Sequence, residues 1–246
     1  MKYIKKFDRH ADYEAYINGG GAVLPNVSYC VDLNEVHFNK YTPPYDPFNG
    51  HEYVDLGLPS GTLWAKCNVG AETETDYGRY FQWGDIQGYT ADQVGTGDGQ
   101  KPFLETDYKW WSSGIGYTKY NSTDGKTVLE SEDDAAHVNM GGEWRMPTPD
   151  EFSELMSETT QETITKGGKT GILFISKSNS NNTIFIPFGG WIIDGQFEVV
   201  GNYVNSVSNE IVINKGYVEY FYAGDDELGI DREMRWFGYT IRAVIG

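Results

Sequence analysis

The stretch TPDEFSELM, residues 148–156, carries the clearest helix signal of the chain. Thr148 and Glu151 have the spacing of a capping box, and Pro149 occupies the first helical position. The apolar residues that follow have the i, i+3, i+4 spacing of a buried helix face: Phe152, Leu155 and Met156. The sequence therefore predicts a helix that begins at Pro149, and residues 159–165 either extend it or follow it.

Short apolar runs surround this helix and are broken by Gly, Asn, Asp and Ser, a pattern typical of strands and turns. Residues 172–176 and 183–187 flank the turn 179–182 and predict a hairpin. Residues 219–222 and 239–244 predict further strands. One helix embedded among strands predicts the α+β class.

The first 40 residues predict a small separate module. A helix over residues 8–17 and a hairpin of strands 27–31 and 35–38 fit the pattern. Elements of this size bury little surface, so we expect an attachment or oligomerisation module that needs a neighbour.

Residues 41–50, YTPPYDPFNG, contain three prolines, which prevent regular structure. We predict a linker here and a main domain over residues 51–246.

The chain is strongly acidic, with a net charge of -17 and a pI of about 4.5. Nucleic acids and anionic membrane surfaces would be repelled, so neither is an expected partner. Apolar runs are too short for membrane insertion. The N-terminus, MKYIKKFDRH, lacks the apolar core of a secretory signal, so we expect synthesis in a cytoplasm without standard export.

Sequence signals for catalysis, metal binding or a cofactor are absent. The chain has no GxSxG, P-loop or HExxH motif, and its four histidines are scattered. Cys30 and Cys67 form no CxxC pair, so we expect reduced, partly buried thiols; their pairing cannot be read from spacing. The run 225–227 lacks the alternation of an EF-hand loop, which leaves calcium open but disfavoured.

Four stretches of the main domain match a known pattern. They are VDLGLPSGTLWAKCNVGA with DYGRYFQWGD (54–71 and 76–85), DGKTVLESEDDAAHVNMGGEWRMPTPDEFSEL (124–155), IPFGGWIIDGQ (186–196) and GYTIRAV (238–244). In this order they resemble the C-type lectin-like domains of Bacteroidales bacteria and their phages. These domains are relatives of the formylglycine-generating-enzyme fold, and many are variable proteins of diversity-generating retroelements.

The resemblance implies a C-type lectin-like fold with a ligand-binding surface in the stretch before GYTIRAV. Such proteins commonly display receptor-binding surfaces, often at phage tail-fibre tips and often as trimers. The formylglycine-generating relatives use a cysteine pair in the C-terminal half, and no cysteine follows Cys67, so we expect no enzyme activity. The expected partner is a host cell-surface protein or glycan, the expected location is the virion, and a homotrimer is left open.

The candidate binding residues lie in two stretches before GYTIRAV. Tyr and Trp offer large rigid contact areas, Asp and Glu accept hydrogen bonds, and Arg supplies planar donors. The candidates are Tyr203, Asn205, Ser206, Tyr217, Tyr220, Tyr222, Asp225, Asp226, Glu227, Asp231, Arg232, Glu233, Met234 and Trp236. The alternative is that the aromatic residues belong to a strand core and the acids to a solvated loop or turn.

Because side chains alternate along a strand, the sequence predicts which of these residues face the solvent and which face the core. Tyr220 and Tyr222 are expected to face outward, with Phe221 and Glu219 inward. Further along, the core-facing residues are expected to be Leu228 and Ile230, and the solvent-facing ones Glu227, Gly229 and Asp231. A buried Glu219 would need a partner, which leaves the register open by one residue.

Other residues are expected to support the framework. Arg145 and Arg242 are expected to bond carbonyls or an internal acid, and Trp83, Trp144 and Trp191 to lie in the core. By contrast, alanine at Tyr222, Glu233 or Trp236 is expected to abolish binding and leave stability nearly unchanged.

Three functions stay open at this stage. The first is a phage-encoded receptor-binding protein at a tail-fibre tip. The second is a bacterial cell-surface adhesin, and the third is a structural virion domain without a ligand.

Overall fold

The structure, a computed structural model, describes residues 4–6, 28–30, 46–212, 216–224 and 227–246. It divides into two compact units, Met1–Asp46 and Pro47–Gly246. In the first unit, β1 (Ile4–Lys6) pairs in parallel with β2 (Ser28–Cys30). Strand β2 lies within the predicted strand 27–31, whereas the predicted helix 8–17 and strand 35–38 lie outside the described residues.

The boundary between the units falls within the proline-rich segment 41–50, and the end of this segment belongs to the second unit. Phe48 stacks on Tyr53 with ring centroids 4.3 Å apart. The Phe48 carbonyl accepts a hydrogen bond from Trp144 Nε1 at 2.8 Å. The second unit therefore begins four residues earlier than the predicted start at residue 51.

Strands predominate over helices in the described part of the chain, compatible with the predicted α+β class or with a mainly β class. The elements of the second unit are β3 (Tyr53–Asp55), β4 (Leu63–Ala65), β5 (Trp111–Ser112), β6 (Gly116–Tyr117), α1 (Ala135–Met140), α2 (Pro149–Glu158), β7 (Thr159–Lys166), β8 (Lys169–Ser176), β9 (Thr183–Pro187), β10 (Trp191–Ile193), β11 (Gln196–Glu198), β12 (Val204–Val212), β13 (Tyr217–Ala223), β14 (Leu228–Met234), β15 (Gly238–Tyr239) and β16 (Val244–Ile245).

Helix α2 begins as the sequence predicts. Thr148 Oγ1 accepts a hydrogen bond from Glu151 N at 3.1 Å, and the Glu151 carboxylate accepts one from Thr148 N at 2.8 Å. Phe152 and Leu155 are buried. The helix ends at Glu158, so extension into residues 159–165 is wrong: the threonine-rich run forms β7, because β-branched side chains favour strands.

Strands β7, β8 and β9 form an antiparallel sheet, which confirms the predicted hairpin of residues 172–176 and 183–187. A second sheet has the order β16–β4–β3, with Val244 opposite Trp64. The continuous strand predicted over residues 239–244 is wrong, because β15 and β16 belong to different sheets and are separated by residues 240–243.

Arg242 lies in that interruption and is fully buried. Its guanidinium donates to Asn68 Oδ1 at 2.8 Å and to the carbonyls of Ala65 at 3.0 Å, Lys66 at 2.6 Å and Phe185 at 3.0 Å. Burial lowers its pKa to about 10, so it stays charged at neutral pH. Together with Arg145, which bonds the Glu151 carboxylate, it confirms the predicted framework role of both arginines.

The sheet β12–β13–β14 positions the candidate site. Strand β13 is its central strand and pairs antiparallel with both neighbours. On one face Phe221 stacks on Phe152 of α2, with ring centroids 5.1 Å apart. Because side chains alternate along a strand, Tyr220 and Tyr222 point to the opposite face.

Candidate functional site

A cavity of about 290 Å³ opens on the face of the β12–β14 sheet that points away from α2. We call it the aromatic cavity. The residues that line it are Trp191, Val199, Tyr203, Asn205, Tyr220, Tyr222, Glu227 and Asp231.

Strand register brings four of these residues together. Asn205 of β12 lies opposite Tyr222 of β13, and Asp231 of β14 lies opposite Tyr220. Directly opposed residues on one face have Cβ atoms about 4.5–5.5 Å apart. The sheet therefore places two tyrosines, an amide and a carboxylate side by side.

Aromatic rings form the walls. The Trp191 ring lies 5.9 Å from the Tyr220 ring, which lies 6.1 Å from the Tyr222 ring. Tyr220 is only 7% exposed, whereas Tyr203 and Tyr222 are half-buried. The Tyr203 ring packs on Gly224, where an added Cβ would lie 2.3 Å from a ring carbon. A side chain at residue 224 would therefore displace this wall.

Two buried polar atoms of the lining residues have no hydrogen-bond partner. They are Asn205 Oδ1, in a residue only 3% exposed, and Trp191 Nε1. A buried donor or acceptor left unpaired costs about 1–3 kcal/mol. A polar ligand that reached these atoms would recover part of that cost.

The cavity carries negative charge. Asp231 and Glu227 are exposed members of its lining. Burial, followed by the negative charges of Asp231 and Glu233, raises the pKa of Tyr220 well above its usual value, so this phenol stays protonated at neutral pH. The nearby Arg232 does not neutralise the cavity, because its guanidinium bonds Glu219 Oε1 at 2.8–3.0 Å.

Exposed apolar side chains adjoin the cavity in sequence. Val199 lines it, Val200 follows Val199, and Leu228 follows Glu227. Phe197 of β11 is also exposed. Exposed apolar groups beside a pocket are typical of interaction surfaces.

Six of the predicted binding residues line the aromatic cavity: Tyr203, Asn205, Tyr220, Tyr222, Glu227 and Asp231. Asp225 and Asp226 lie outside the described residues. The remaining six candidates are described but are not among the lining residues: Ser206, Tyr217, Arg232, Glu233, Met234 and Trp236.

Several of these six support the fold. Ser206 is fully buried, and its Oγ accepts a hydrogen bond from Arg242 N at 3.2 Å. Met234 and Trp236 pack against the core, and the Trp236 ring lies 4.6 Å from that of Phe237. We therefore no longer expect removal of Trp236 to leave stability unchanged.

The predicted alternation of β13 is correct in part. Phe221 is fully buried, and Glu219 is partly buried with Arg232 as its partner, which settles the register question. Tyr220, however, is buried although it faces the cavity, because Trp191 and Tyr239 pack against its ring.

The expectations for β14 have mixed outcomes. Ile230 packs against the core, and Asp231 is exposed, as predicted. Leu228 is 39% exposed, so its predicted core position is wrong. It pairs with Ala223 at the end of the strand, where the sheet offers little cover.

The core positions predicted for three tryptophans also have mixed outcomes. Trp83 and Trp144 are fully buried, as expected. Trp191 is partly exposed and forms a cavity wall that the sequence reasoning missed. Its place follows from the pairing of β10 with β15, a long-range register for which the local sequence carries no signal.

Clusters of metal-ligating side chains are absent from the described ranges. These ranges contain no group of three or more His, Cys, Asp or Glu side chains arranged to hold a metal ion. Cys67 is a free, partly buried thiol whose pKa is raised by burial, as expected for a thiol that is not activated. None of the described helices has the length and apolarity that a membrane crossing requires.

Comparison with known proteins identifies no relative: no protein family, no curated protein and no solved structure matches the chain.

Proposed function

We propose that the second unit is a ligand-binding domain of the C-type lectin-like type, in the formylglycine-generating-enzyme subtype. We propose further that the chain is a phage receptor-binding protein of the variable class diversified by retroelements. Its partner would be a molecule on the surface of a host cell, and the first unit would attach the domain to the virion.

One observation carries this proposal: half-exposed aromatic rings, two carboxylates and an unpartnered buried amide converge on one cavity close to the C-terminus. Aromatic residues with a polar tip supply contact area at low entropic cost. The opposite face of the same sheet is packed against α2, so side chains in the cavity can vary without disturbing that core.

The exposure of each candidate residue also determines whether it can be substituted without disturbing the fold. Tyr203, Tyr222, Glu227 and Asp231 are partly or fully exposed, so diversification there would alter binding; the carboxylates Glu227 and Asp231 have no part in the core, whereas Tyr222 packs against it. Phe221, which lies between Tyr203 and Tyr222 in sequence, and Arg235, which follows Asp231, are buried and would need to stay constant.

Binding of the fluorescently labelled chain to a panel of intact Bacteroidales cells tests the proposal. We expect the wild-type chain to bind at least one strain, and Tyr222→Ala to lose that binding. Tyr53→Ala removes an exposed tyrosine elsewhere in the same unit and serves as the control. Thermal unfolding of both variants checks that they are folded, and a Tyr222→Ala chain that binds like wild type would rule the cavity out.

A further inference from the structure

We propose that the aromatic cavity takes the side chain of a lysine or arginine that projects from a protein partner. This inference rests on the proposed function and names the chemistry of its ligand.

The size of the cavity limits what can enter it. Its volume of about 290 Å³ lies at the lower end of ligand pockets, which span about 300–1,000 Å³. One side chain fits a space of this size better than an extended oligosaccharide does. The exposed apolar residues Val199 and Val200 then offer contact area to the protein surface around that side chain.

The aromatic rings that line the cavity favour a cationic ligand. Trp191, Tyr220 and Tyr222 follow one another with ring centroids 5.9 and 6.1 Å apart. A cation within about 6 Å of an aromatic centroid is attracted by the ring quadrupole, and tryptophan is the strongest partner. A side chain that lies across the exposed edges of these rings can contact more than one of them.

The charges select a cation over a neutral ligand. The described residues that line the cavity include two carboxylates, Asp231 and Glu227, and no Lys, Arg or His. Glu233 adds negative potential at Tyr220, and Arg232 is already engaged by Glu219. A neutral sugar would leave both carboxylates uncompensated, whereas a lysine or arginine would neutralise one of them.

Asn205 supplies the independent observation. Its Oδ1 is an acceptor without a partner in a residue 97% buried on the cavity face. Lysine and arginine side chains carry only hydrogen-bond donors, so they match an unpaired acceptor. Trp191 Nε1 is an unpaired donor, and a backbone carbonyl of the same partner segment would match it.

Blocked tripeptides with arginine, lysine or glutamine between two glycines test the inference by NMR titration of the full chain. We expect the arginine or lysine peptide to bind at least about tenfold more tightly than the glutamine peptide, a difference of about 1.4 kcal/mol. Asp231→Asn should reduce this preference severalfold, because it removes the charge and keeps an oxygen that can accept from Arg232 N. Asp98→Asn changes the net charge equally at an exposed residue that does not line the cavity, and should leave the preference intact.

Each outcome decides one point. Equal binding of the glutamine peptide, or an unchanged preference in Asp231→Asn, overturns the cationic ligand. Binding of neutral oligosaccharides in the cavity, lost in Tyr222→Ala and without any response to cationic peptides, also overturns it but leaves the proposed function standing. Cell binding that survives Tyr222→Ala removes the proposed function itself.

Discussion

The two faces of the β12–β14 sheet differ, around Phe221 and Tyr222, in how completely their side chains are covered. On the α2 face, Phe221 stacks on Phe152, and Glu219 is held by Arg232. On the cavity face, Asn205 Oδ1 is buried without a partner and Tyr222 is half-exposed. Around Phe221 and Tyr222, one face of β13 thus belongs to a closed core and the other lines a cavity, whereas Val218 is buried on the cavity face as well.

Under the proposed function, this difference separates residues that maintain the fold from residues that contact the ligand. Around Phe221 and Tyr222 the separation follows the alternation of β13 and therefore operates over single residues.

The largest effect is expected from a matched pair on β13. Phe221→Ala removes a fully buried ring from the α2 face and should lower the free energy of unfolding by about 3–5 kcal/mol. Tyr222→Ala, one residue further, should cost less than half as much, because its ring is half-exposed. Urea unfolding of both variants measures the difference, and equal losses would mean that the two faces are equally structural.

A smaller, pH-dependent effect is expected at the start of α2. Burial opposes ionisation of Glu151, but hydrogen bonds from Arg145 and Thr148 prevail and hold its pKa below the ordinary 4.5. A lowered folded pKa contributes stability that is present above about pH 4.5 and is lost as the pH falls through the folded value.

We therefore expect Glu151→Gln to be less stable than wild type at pH 7, by about 1.5–3 kcal/mol for hydrogen bonds to a charged group. The difference in stability should narrow as the pH falls below about 4.5, where Glu151 becomes protonated first in the unfolded chain and then, at lower pH, in the folded protein. Thermal unfolding between pH 3 and 7 measures it. A gap that stays constant over this range would contradict a stabilising charge at Glu151.

The smallest effect is expected at two neighbouring residues of β12. Asn205→Leu removes an amide whose Oδ1 has no partner, so stability should change by no more than about 1 kcal/mol and could rise. Ser206→Ala leaves Arg242 N without its acceptor and should destabilise by about 1–3 kcal/mol. If chemical denaturation shows that Asn205→Leu is the more damaging variant, the amide has a structural role and the cavity face is already complete.

The sequence predicted the local parts of this architecture well. The capping box of α2, the hairpin of β8 and β9, and the inward position of Phe221 all follow from spacing within a few residues. Six of the fourteen candidate residues line the cavity, and alternation along β13 accounts for two of them, Tyr220 and Tyr222.

Features that depend on distant pairing were missed. Strand β12 was treated as a binding stretch or turn, and its pairing with β13 buries Asn205 and Ser206. Trp191 reaches the cavity through the pairing of β10 with β15, across more than 40 residues. A single sequence contains no local signal for such registers, so the expectation that all fourteen candidate residues belong to one binding surface was too general.

Strand β13 also constrains how this protein can change over generations. A substitution at Tyr222 alters one wall of the cavity, but inserting or deleting one residue within the strand would send the core side chains to the surface and the cavity side chains inward. Rapid adaptation of such a surface is therefore compatible with exchange of individual codons and incompatible with changes in the length of this segment.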